Sequence, residues 1–312
     1  KEKGFAHMSE GALVVDVKED TDTKEIPPCI ILKSDGASLY STTDLATLVM
    51  RMKENNPDRV IYLADARQSM HFIQVFRCAR KTGIVPDTTE LVHIGFGTMN
   101  GKDGKPFKTR DGGVMRLEYL LKEIDDEMLN KIKENQKEKE NLNIDEAEAK
   151  QTAKTVALAA VKYGDLSNQA SKDYIFDIDR FTSFEGNTGP YILYTIVRIK
   201  SILSKYEAKG GDISALKDAI MPAVNAGQKN LMLSLAKFNA TIESAYEESA
   251  PHKICAYIYE LANAFNGFYH DTKILSEENE ELKKSYISLL VLTKEILEAC
   301  IDMLGFSAPD RM

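Results

Sequence analysis

The sequence predicts an α/β region with a parallel sheet, followed by an all-α helical bundle. From residue 29 to residue 97, short apolar runs alternate with stretches of helical spacing, which is the pattern of strand–helix–strand units. After residue 117 the apolar spacing is helical, and short connections between stretches are typical of antiparallel helices. A chain of 312 residues also exceeds the usual size of one compact core, so we expect two domains.

The first region alternates strands and helices. Apolar runs predict strands at 29–32, 60–64 and 91–94, and helical spacing predicts helices at 41–55 and 70–81. Residues 9–16 are also strand-like, and we expect their pairing partners to lie elsewhere. The unusual start of the sequence also leads us to expect a fragment whose upstream half is missing. The strand–helix–strand order implies a right-handed βαβ unit, in which ligands bind at the carboxyl ends of the strands. Polar clusters at 65–68 and 93–113 follow two such ends, so we expect them to meet at one edge.

The rest of the chain is predicted to be helical. Helices are expected at 117–139, 147–163, 191–208, 213–225, 227–247, 252–266 and 285–304. The charged stretch at 131–150 is typical of a solvated helix or a mobile insertion, and no function is assigned to it. Glycines and a proline at 186–190 mark a domain boundary. We therefore divide the chain into residues 1–118, a helical connector at 119–186, and residues 187–312.

Composition and charge exclude several classes of protein. A formal net charge of -8 argues against broad, sequence-independent binding to nucleic acid, although a specific site remains compatible with it. Four widely spaced cysteines (Cys29, Cys78, Cys255 and Cys300) have no histidine at metal-ligand spacing, so we expect reduced thiols and no metal site. No apolar run reaches the length of a membrane span, and the N-terminus lacks a signal-peptide core. These features predict a soluble, cytoplasmic protein.

The loop at 93–113 is informative because it places glycines and cations directly after an apolar strand. Glycines allow the backbone to approach an anion, and Lys102, Lys105, Lys108 and Arg110 supply positive charge for a polyphosphate. A solvated hairpin tip is an equal alternative, since Asp-Gly at 103–104 is a common hairpin turn. The glycines at 95 and 97 do not form a dinucleotide fingerprint, because Asn100 stands where the third glycine would be.

Several motifs in order along the chain resemble one enzyme family. They are KSDGASLYSTTDLA at 33–46, DARQSMHF at 65–72, FKTR at 107–110, YGDLSN at 163–168, FEGNTGPY at 184–191 and APDRM at 308–312. Together they resemble consecutive blocks of arginyl-tRNA synthetase, a class I aminoacyl-tRNA synthetase. The resemblance implies a partial Rossmann-like nucleotide-binding domain over 1–118, followed by an anticodon-binding helical bundle over 187–312. The parent enzyme would join arginine to tRNA(Arg) at the expense of ATP, with Mg²⁺ accompanying the ATP.

Two parts of that family are missing from this sequence. The class I signature His-x-Gly-His is absent, and so is the amino-terminal domain that binds the tRNA elbow. The resemblance therefore implies the carboxyl-terminal portion of the enzyme, which we expect to be catalytically inactive by itself.

A phenol, a carboxylate and an amide are candidates for the amino-acid pocket. Tyr40, Asp44 and Gln68 would face one edge of the sheet, and such a set suits a guanidinium, which prefers planar, charge-assisted hydrogen bonds. The resemblance implies that Tyr40 and Asp44 contact the arginine side chain and that Gln68 belongs to the same pocket. The alternative for Asp44 is a capping-box acid at a helix N-terminus.

The cationic loop resembles the lysine loop that other class I synthetases write as Lys-Met-Ser-Lys-Ser. The resemblance assigns Lys105, Lys108 and Arg110 to the catalytic set, where cations stabilise charge on the departing pyrophosphate. The register of this loop is open, and Lys108 is the first candidate. The resemblance places ATP near His71, His93, Gly95, Met99, Phe107 and Thr109. The alternative for His93 is a structural hydrogen bond, and the alternative for His71 is packing among Phe72 and Val75. Asp65 and Arg67 could form a structural pair.

The helical region carries thirteen Lys and Arg against sixteen Asp and Glu between residues 187 and 312, so a basic groove cannot bind RNA there. Recognition would instead use stacking and edge contacts to unpaired bases. The resemblance assigns such contacts to Tyr191, Tyr194, Tyr269 and Met312, whereas Tyr257 and Tyr259 are expected in the core.

Two other classes of function remain open. One is a non-catalytic RNA- or nucleotide-binding module, and the other, ranked last, is a structural helical scaffold. A reading frame with His-x-Gly-His upstream of Lys1 would favour the ligase over the binding module.

Overall fold

The computed structural model describes residues 1–105, 116–138, 145–216 and 219–312. The chain divides into two compact units. The α/β unit comprises Lys1–Gly97 with Ala170–Asp173, and the helical unit comprises Thr98–Gln169 with Tyr174–Met312. The predicted fold class, a partial α/β nucleotide-binding domain followed by an all-α bundle, is confirmed.

The α/β unit contains two small sheets and two helices. Its elements are β1 (Ala6–Ser9), β2 (Ala12–Val15), β3 (Cys29–Leu32), α1 (Tyr40–Glu54), β4 (Arg59–Asp65), α2 (Ser69–Lys81) and β5 (Glu90–Phe96). β4 and β5 pair in parallel, in register from Arg59 opposite Glu90 to Asp65 opposite Phe96. The predicted strand–helix–strand unit is therefore present, because α2 connects two parallel neighbours.

The strand expected at 9–16 is shorter than predicted, because a turn interrupts it, and its pairing partners are the preceding residues and a strand farther along the chain. β1 and β2 form an antiparallel hairpin, and β2 also pairs with β3. The hairpin turn consists of Glu10 and Gly11, whose φ angles are 49° and 82°. Two consecutive positive φ angles match the twist of a tight two-residue hairpin, so a local turn supplies the partner.

The helical unit is built from long helices and one short ladder. Its elements are β6 (Met99–Asn100), α3 (Leu117–Glu138), α4 (Glu146–Leu166), β7 (Tyr174–Ile175), α5 (Ile178–Phe181), α6 (Gly189–Ala208), α7 (Ala226–Ala236), α8 (Phe238–Glu247), α9 (Pro251–Asp271) and α10 (Glu280–Met303). β6 and β7 pair in parallel. No helix among the described residues is both long and apolar enough to span a bilayer.

Two predicted helices of this unit are wrong in extent. The helix expected at 213–225 is reduced to a single 3₁₀ turn at Ser214–Leu216 within the described residues. Pro222 lacks an N–H and restricts the residue before it, and Asn225 instead caps α7 by accepting a hydrogen bond from the Gln228 backbone N–H at 2.8 Å. The helix expected at 227–247 is divided at Lys237 into α7 and α8.

Each unit has its own hydrophobic core. Leu48, Val75 and Cys78 are buried in the α/β unit. The core of the helical unit is much larger and includes Phe265 and Phe268, both fully buried. The four cysteines are buried and unpaired by disulfides.

Candidate functional site

The start of α1 is fixed by hydroxyl groups. The hydroxyls of Ser41 and Thr42 donate to the backbone carbonyls of Ile30 and Ile31 on β3, each at 2.5 Å. Thr42 Oγ1 also accepts a hydrogen bond from the Leu39 backbone N–H at 3.2 Å, which satisfies the cap of the helix. The alternative that Asp44 serves as the capping acid is therefore wrong, and its carboxylate is left for other contacts.

Asp44 contacts a histidine on the neighbouring helix. His71 Nε2 of α2 lies 2.6 Å from Asp44 Oδ2, and the two side chains are 26% and 28% exposed. Tyr40 is one helical turn before Asp44 on α1, and Gln68 is one turn before His71 at the start of α2, so each shares a helix face with the contacting residue. The Tyr40 side chain is 85% exposed, and Gln68 is also exposed. The contact thus brings the two helix N-termini that carry the predicted arginine pocket next to each other.

The carboxyl end of β4 is shaped by an ion pair. The Arg67 guanidinium donates from Nε to Asp65 Oδ1 at 2.9 Å and from Nη2 to Asp65 Oδ2 at 2.7 Å, and the Arg67 backbone N–H donates to Asp65 Oδ1 at 2.8 Å. The side chain of Arg67, followed by its backbone N–H, lowers the pKa of Asp65 to about 2. This structural pair was an expectation, and it holds the 3₁₀ turn that leads into Gln68.

An aromatic stack supports the end of β5. The ring of Phe72 lies 4.5 Å from the ring of His93 in a stacked geometry and 5.0 Å from that of Tyr62. His93 Nε2 is buried and has no hydrogen-bond partner among the described residues. The ring position of His93 is therefore fixed by packing, and its contact with a nucleotide stays a prediction.

The two glycines of the β5 end are required by close backbone packing. A Cβ on Gly95 would lie 2.9 Å from the Cα of Ala66, and one on Gly97 would lie 2.5 Å from the carbonyl carbon of Lys172. Any side chain there would force the backbones apart. Packing alone therefore explains these glycines, and the ATP-binding role of Gly95 stays a prediction.

The cationic loop is described only in its first part. The turn predicted at 103–104 is present, since Gly104 has a φ of 73° and the Gly101 backbone N–H donates to the Lys105 carbonyl at 2.8 Å. Lys102 Nζ lies 2.8 Å from Asp179 and 3.0 Å from Asp177, and these carboxylates raise the pKa of Lys102. Lys105 is exposed. Four predicted site residues lie outside the described residues: Phe107, Lys108, Thr109 and Arg110.

Met99 lies on β6 of the helical unit. It is half-buried and packs against the hydrophobic core of that unit. The position of Met99 near ATP therefore stays a prediction.

The predicted RNA-contacting tyrosines gather around an arginine. The guanidinium carbon of Arg198 lies 4.7 Å from the ring centroid of Tyr194 and 5.5 Å from that of Tyr269. Tyr194 and Arg198 are one turn apart on α6, and Tyr269 stacks on Phe265 of α9 at 6.0 Å. The side chain of Tyr269 is 41% exposed. α6 and α9 thus present two aromatic rings and a cation on one surface.

Two asparagines hold this cluster in place. Asn266 Oδ1 accepts from Arg198 Nη1 at 2.6 Å, and Asn266 Nδ2 donates to the Tyr191 hydroxyl at 2.9 Å. The Tyr191 hydroxyl donates to Asn263 Oδ1 at 2.6 Å, and burial raises the pKa of Tyr191. The sequence analysis missed Arg198, Asn263 and Asn266. Helical spacing gave a signal for two of them, because Arg198 follows Tyr194 by four residues and Asn266 precedes Tyr269 by three.

The remaining predicted residues of the helical unit lie in or against its core. Tyr257 is buried, and Tyr259 is half-buried against the same core, as expected. Met312 is half-buried and packs against that core, and Arg311 beside it pairs with Glu148 on α4 at 2.5 Å. In the described part of the chain no group of three or more His, Cys, Asp or Glu residues could hold a metal ion.

Comparison with known proteins gives two family matches. Residues 1–178 match the family described as "tRNA synthetases class I (R), catalytic domain", and residues 192–312 match the "DALR anticodon binding domain". The first match contains the Asp44–His71 contact, and the second contains the Arg198 cluster.

Individual proteins are similar over the whole chain. An arginine–tRNA ligase from Alkaliphilus oremlandii is 54% identical over 312 residues, which are 100% of this chain and 52% of that protein. One from Francisella tularensis subsp. tularensis is 43% identical over 310 residues, 99% of this chain and 51% of that protein. The crystal structure of arginyl-tRNA synthetase from Plasmodium falciparum aligns with a TM-score of 0.81 at 26% identity, covering 100% of this chain and 50% of that one. The chain therefore spans about half the length of the curated relatives it matches.

Proposed function

The chain belongs to the class I (R) tRNA synthetase family, and on this premise we propose that it forms part of an arginine–tRNA ligase. In this proposal the α/β unit supplies one side of an arginine and ATP site, and the helical unit binds the anticodon of tRNA(Arg). The relatives named arginine–tRNA ligase, which match it from end to end, support the assignment. We propose that residues 1–118 act in catalysis, 119–186 connect, and 187–312 bind the anticodon.

The contact between Asp44 and His71 is the observation that carries the arginine site. It holds a carboxylate of α1 against α2, with the exposed phenol of Tyr40 one helical turn before Asp44 and the amide of Gln68 one turn before His71. A guanidinium offers five N–H donors in a plane and carries a permanent positive charge. The carboxylate of Asp44 supplies the charge, and Tyr40 and Gln68 supply directional acceptors.

The proposed reaction begins with the substrate carboxylate. An oxygen of the arginine carboxylate attacks the α-phosphorus of ATP, the bond to the pyrophosphate oxygen breaks, and pyrophosphate leaves with its electron pair. We assign Lys105, Lys108 and Arg110 to stabilising that negative charge, with Lys108 first. Phe107, Thr109, His93, Gly95 and Met99 are proposed neighbours of the nucleotide. Any Mg²⁺ would be bound through the phosphates of ATP.

The surface around Arg198 is proposed to bind unpaired anticodon bases. Tyr269 and Tyr194 offer ring faces, and Arg198 offers both a planar cation and N–H donors between them. Tyr191 belongs to the same network through Asn266, and Met312 is proposed to contact an adjacent base. The excess of acidic residues in this region makes stacking and edge contacts the main source of affinity. We propose that the protein acts in the cytoplasm.

Aminoacylation by a full-length enzyme that contains these residues, tested with each amino acid in turn, would examine the proposal. We expect charging with arginine alone. The 312-residue chain by itself should show no arginine-dependent exchange between ATP and pyrophosphate. Charging with a different amino acid, or exchange by this chain alone, would contradict the proposal.

A further inference from the structure

We infer that His71 is a positioning residue that orients the carboxylate of Asp44 for guanidinium binding. The inference rests on the proposed arginine site and deepens it. It gives His71 a role in amino-acid recognition in place of the nucleotide contact expected from the sequence.

The hydrogen bond between the two residues has a defined direction. An ionised carboxylate can only accept, so the proton of the 2.6 Å contact belongs to His71 Nε2. The bond occupies one lone pair of Asp44 Oδ2. Within the described residues Asp44 Oδ1 has no hydrogen-bond partner, so a full oxygen remains for the N–H groups of a guanidinium.

Ring packing holds His71 in the orientation that this bond requires. Its imidazole meets the ring of Phe72 edge-on, with centroids 5.1 Å apart and planes at 75°. Phe72 is in turn packed against Tyr62 of β4 and His93 of β5. The imidazole is therefore supported from the sheet side, and its Nε2 is directed at α1. A carboxylate fixed in this way does not have to be reoriented when arginine binds.

The test uses the full-length enzyme and two substitutions at one position. His71→Leu removes the donor, whereas His71→Gln keeps an N–H donor near the position of Nε2. We expect His71→Leu to raise the KM for arginine roughly tenfold or more, as loss of one hydrogen bond to a charged group does, with the KM for ATP unchanged. His71→Gln should retain an arginine KM close to that of the unmodified enzyme.

Rescue by His71→Gln separates this role from simple packing, because a histidine that only fills space would be replaced no better by Gln than by Leu. His7 of β1 pairs with Asp16 at 3.7 Å in the same unit, so His7→Leu is a matched control that should leave the arginine KM unchanged. An arginine KM that rises equally in His71→Gln and His71→Leu would overturn the inference.

Asp44→Asn distinguishes failure of the proposed arginine site from failure of the positioning role of His71. If Asp44→Asn leaves the arginine KM unchanged, the proposed arginine site itself is wrong. If Asp44→Asn raises it and neither His71 substitution affects the arginine KM, only the role of His71 is wrong. Should His71→Leu fail to fold, ¹⁵N NMR of the unmodified chain gives a second reading. The expected result is a proton on His71 Nε2, and protonation at Nδ1 alone would overturn the inference.

Discussion

The two units differ in how much of their apolar surface they bury within the described residues. Phe265, Phe268 and their neighbours form a large core within the helical unit. The α/β unit has a small core and leaves large apolar side chains exposed on β4, where Ile61 is 48% and Leu63 is 68% exposed. Parallel sheets are normally covered on both faces. The helical unit therefore buries most of the apolar surface on which its stability depends, whereas the α/β unit does not.

The candidate sites differ in the same sense. In the α/β unit a half-buried carboxylate and exposed polar side chains are proposed to bind a permanently charged group. In the helical unit a cation is already balanced against two rings and an amide, so the surface offers faces and edges rather than net charge. One site therefore depends on a single charge, and the other depends on a network.

The largest expected effect concerns the helical core. Phe268 is fully buried, and Phe268→Ala should lower the free energy of unfolding of the helical unit by about 3–5 kcal/mol. Leu48 is equally buried in the α/β unit, and Leu48→Ala should destabilise that unit by about 2–5 kcal/mol. Urea unfolding monitored by hydrogen exchange should show that the α/β unit unfolds at a lower urea concentration than the helical unit. Only Leu48→Ala should shift the midpoint of the α/β transition. A single transition that both substitutions move would contradict the comparison.

The next effect is on recognition by charge. In a full-length enzyme, Asp44→Ala should raise the KM for arginine about a hundredfold, equivalent to about 3 kcal/mol, because a guanidinium would lose its charged partner. The KM for ATP should change far less. Steady-state kinetics with each substrate varied in turn measures both quantities. Equal effects on the two substrates would show that Asp44 does not bind the guanidinium.

A smaller effect is expected at the aromatic surface. Tyr269→Ala should weaken tRNA charging by about 1–3 kcal/mol, the contribution of one base stacked on a ring, and should spare arginine activation. Tyr246 on α8 is 71% exposed, so Tyr246→Ala is a matched control that should leave charging unchanged. Loss of activation together with charging would indicate damage to the fold instead.

The smallest effect is a pH dependence within the α/β unit. The hydrogen bond from Arg77, followed by that from the Glu19 backbone, lowers the pKa of Asp22 to about 2. Because the pKa is depressed in the folded state, this pair stabilises the unit above the unfolded value near 4 and loses its effect as the pH falls from about 4 to about 2. Asp22→Asn should lower the urea midpoint at neutral pH and flatten its acid dependence. An unaltered acid dependence would exclude Asp22 as its source.

Patterns within a single element were predicted well from the sequence. Apolar spacing located α1, α2 and the parallel pair β4 and β5, because burial of one face leaves a periodic signal. The prediction of a helix at 213–225 was wrong because the helical spacing of apolar residues was given more weight than Pro222. The partner of β2 was missed because β1 is largely exposed and carries little apolar alternation.

Contacts between distant residues were harder to predict. His71 and Asp44 are 27 residues apart and on different helices, so only the fold shows that they meet. Arg198 carried no apolar signal, and its importance comes from rings on α6 and α9 together. The motifs identified the residue types of both sites, whereas only the three-dimensional structure shows which of these residues contact each other.

The exposed side of β4 has a practical consequence for handling the isolated polypeptide. Within the described residues this strand pairs only with β5, so its other edge presents free N–H and C=O groups beside Ile61 and Leu63. An open edge flanked by apolar side chains is a template for adding a strand from another molecule. Aggregation should therefore increase with protein concentration, and Leu63→Lys should delay it.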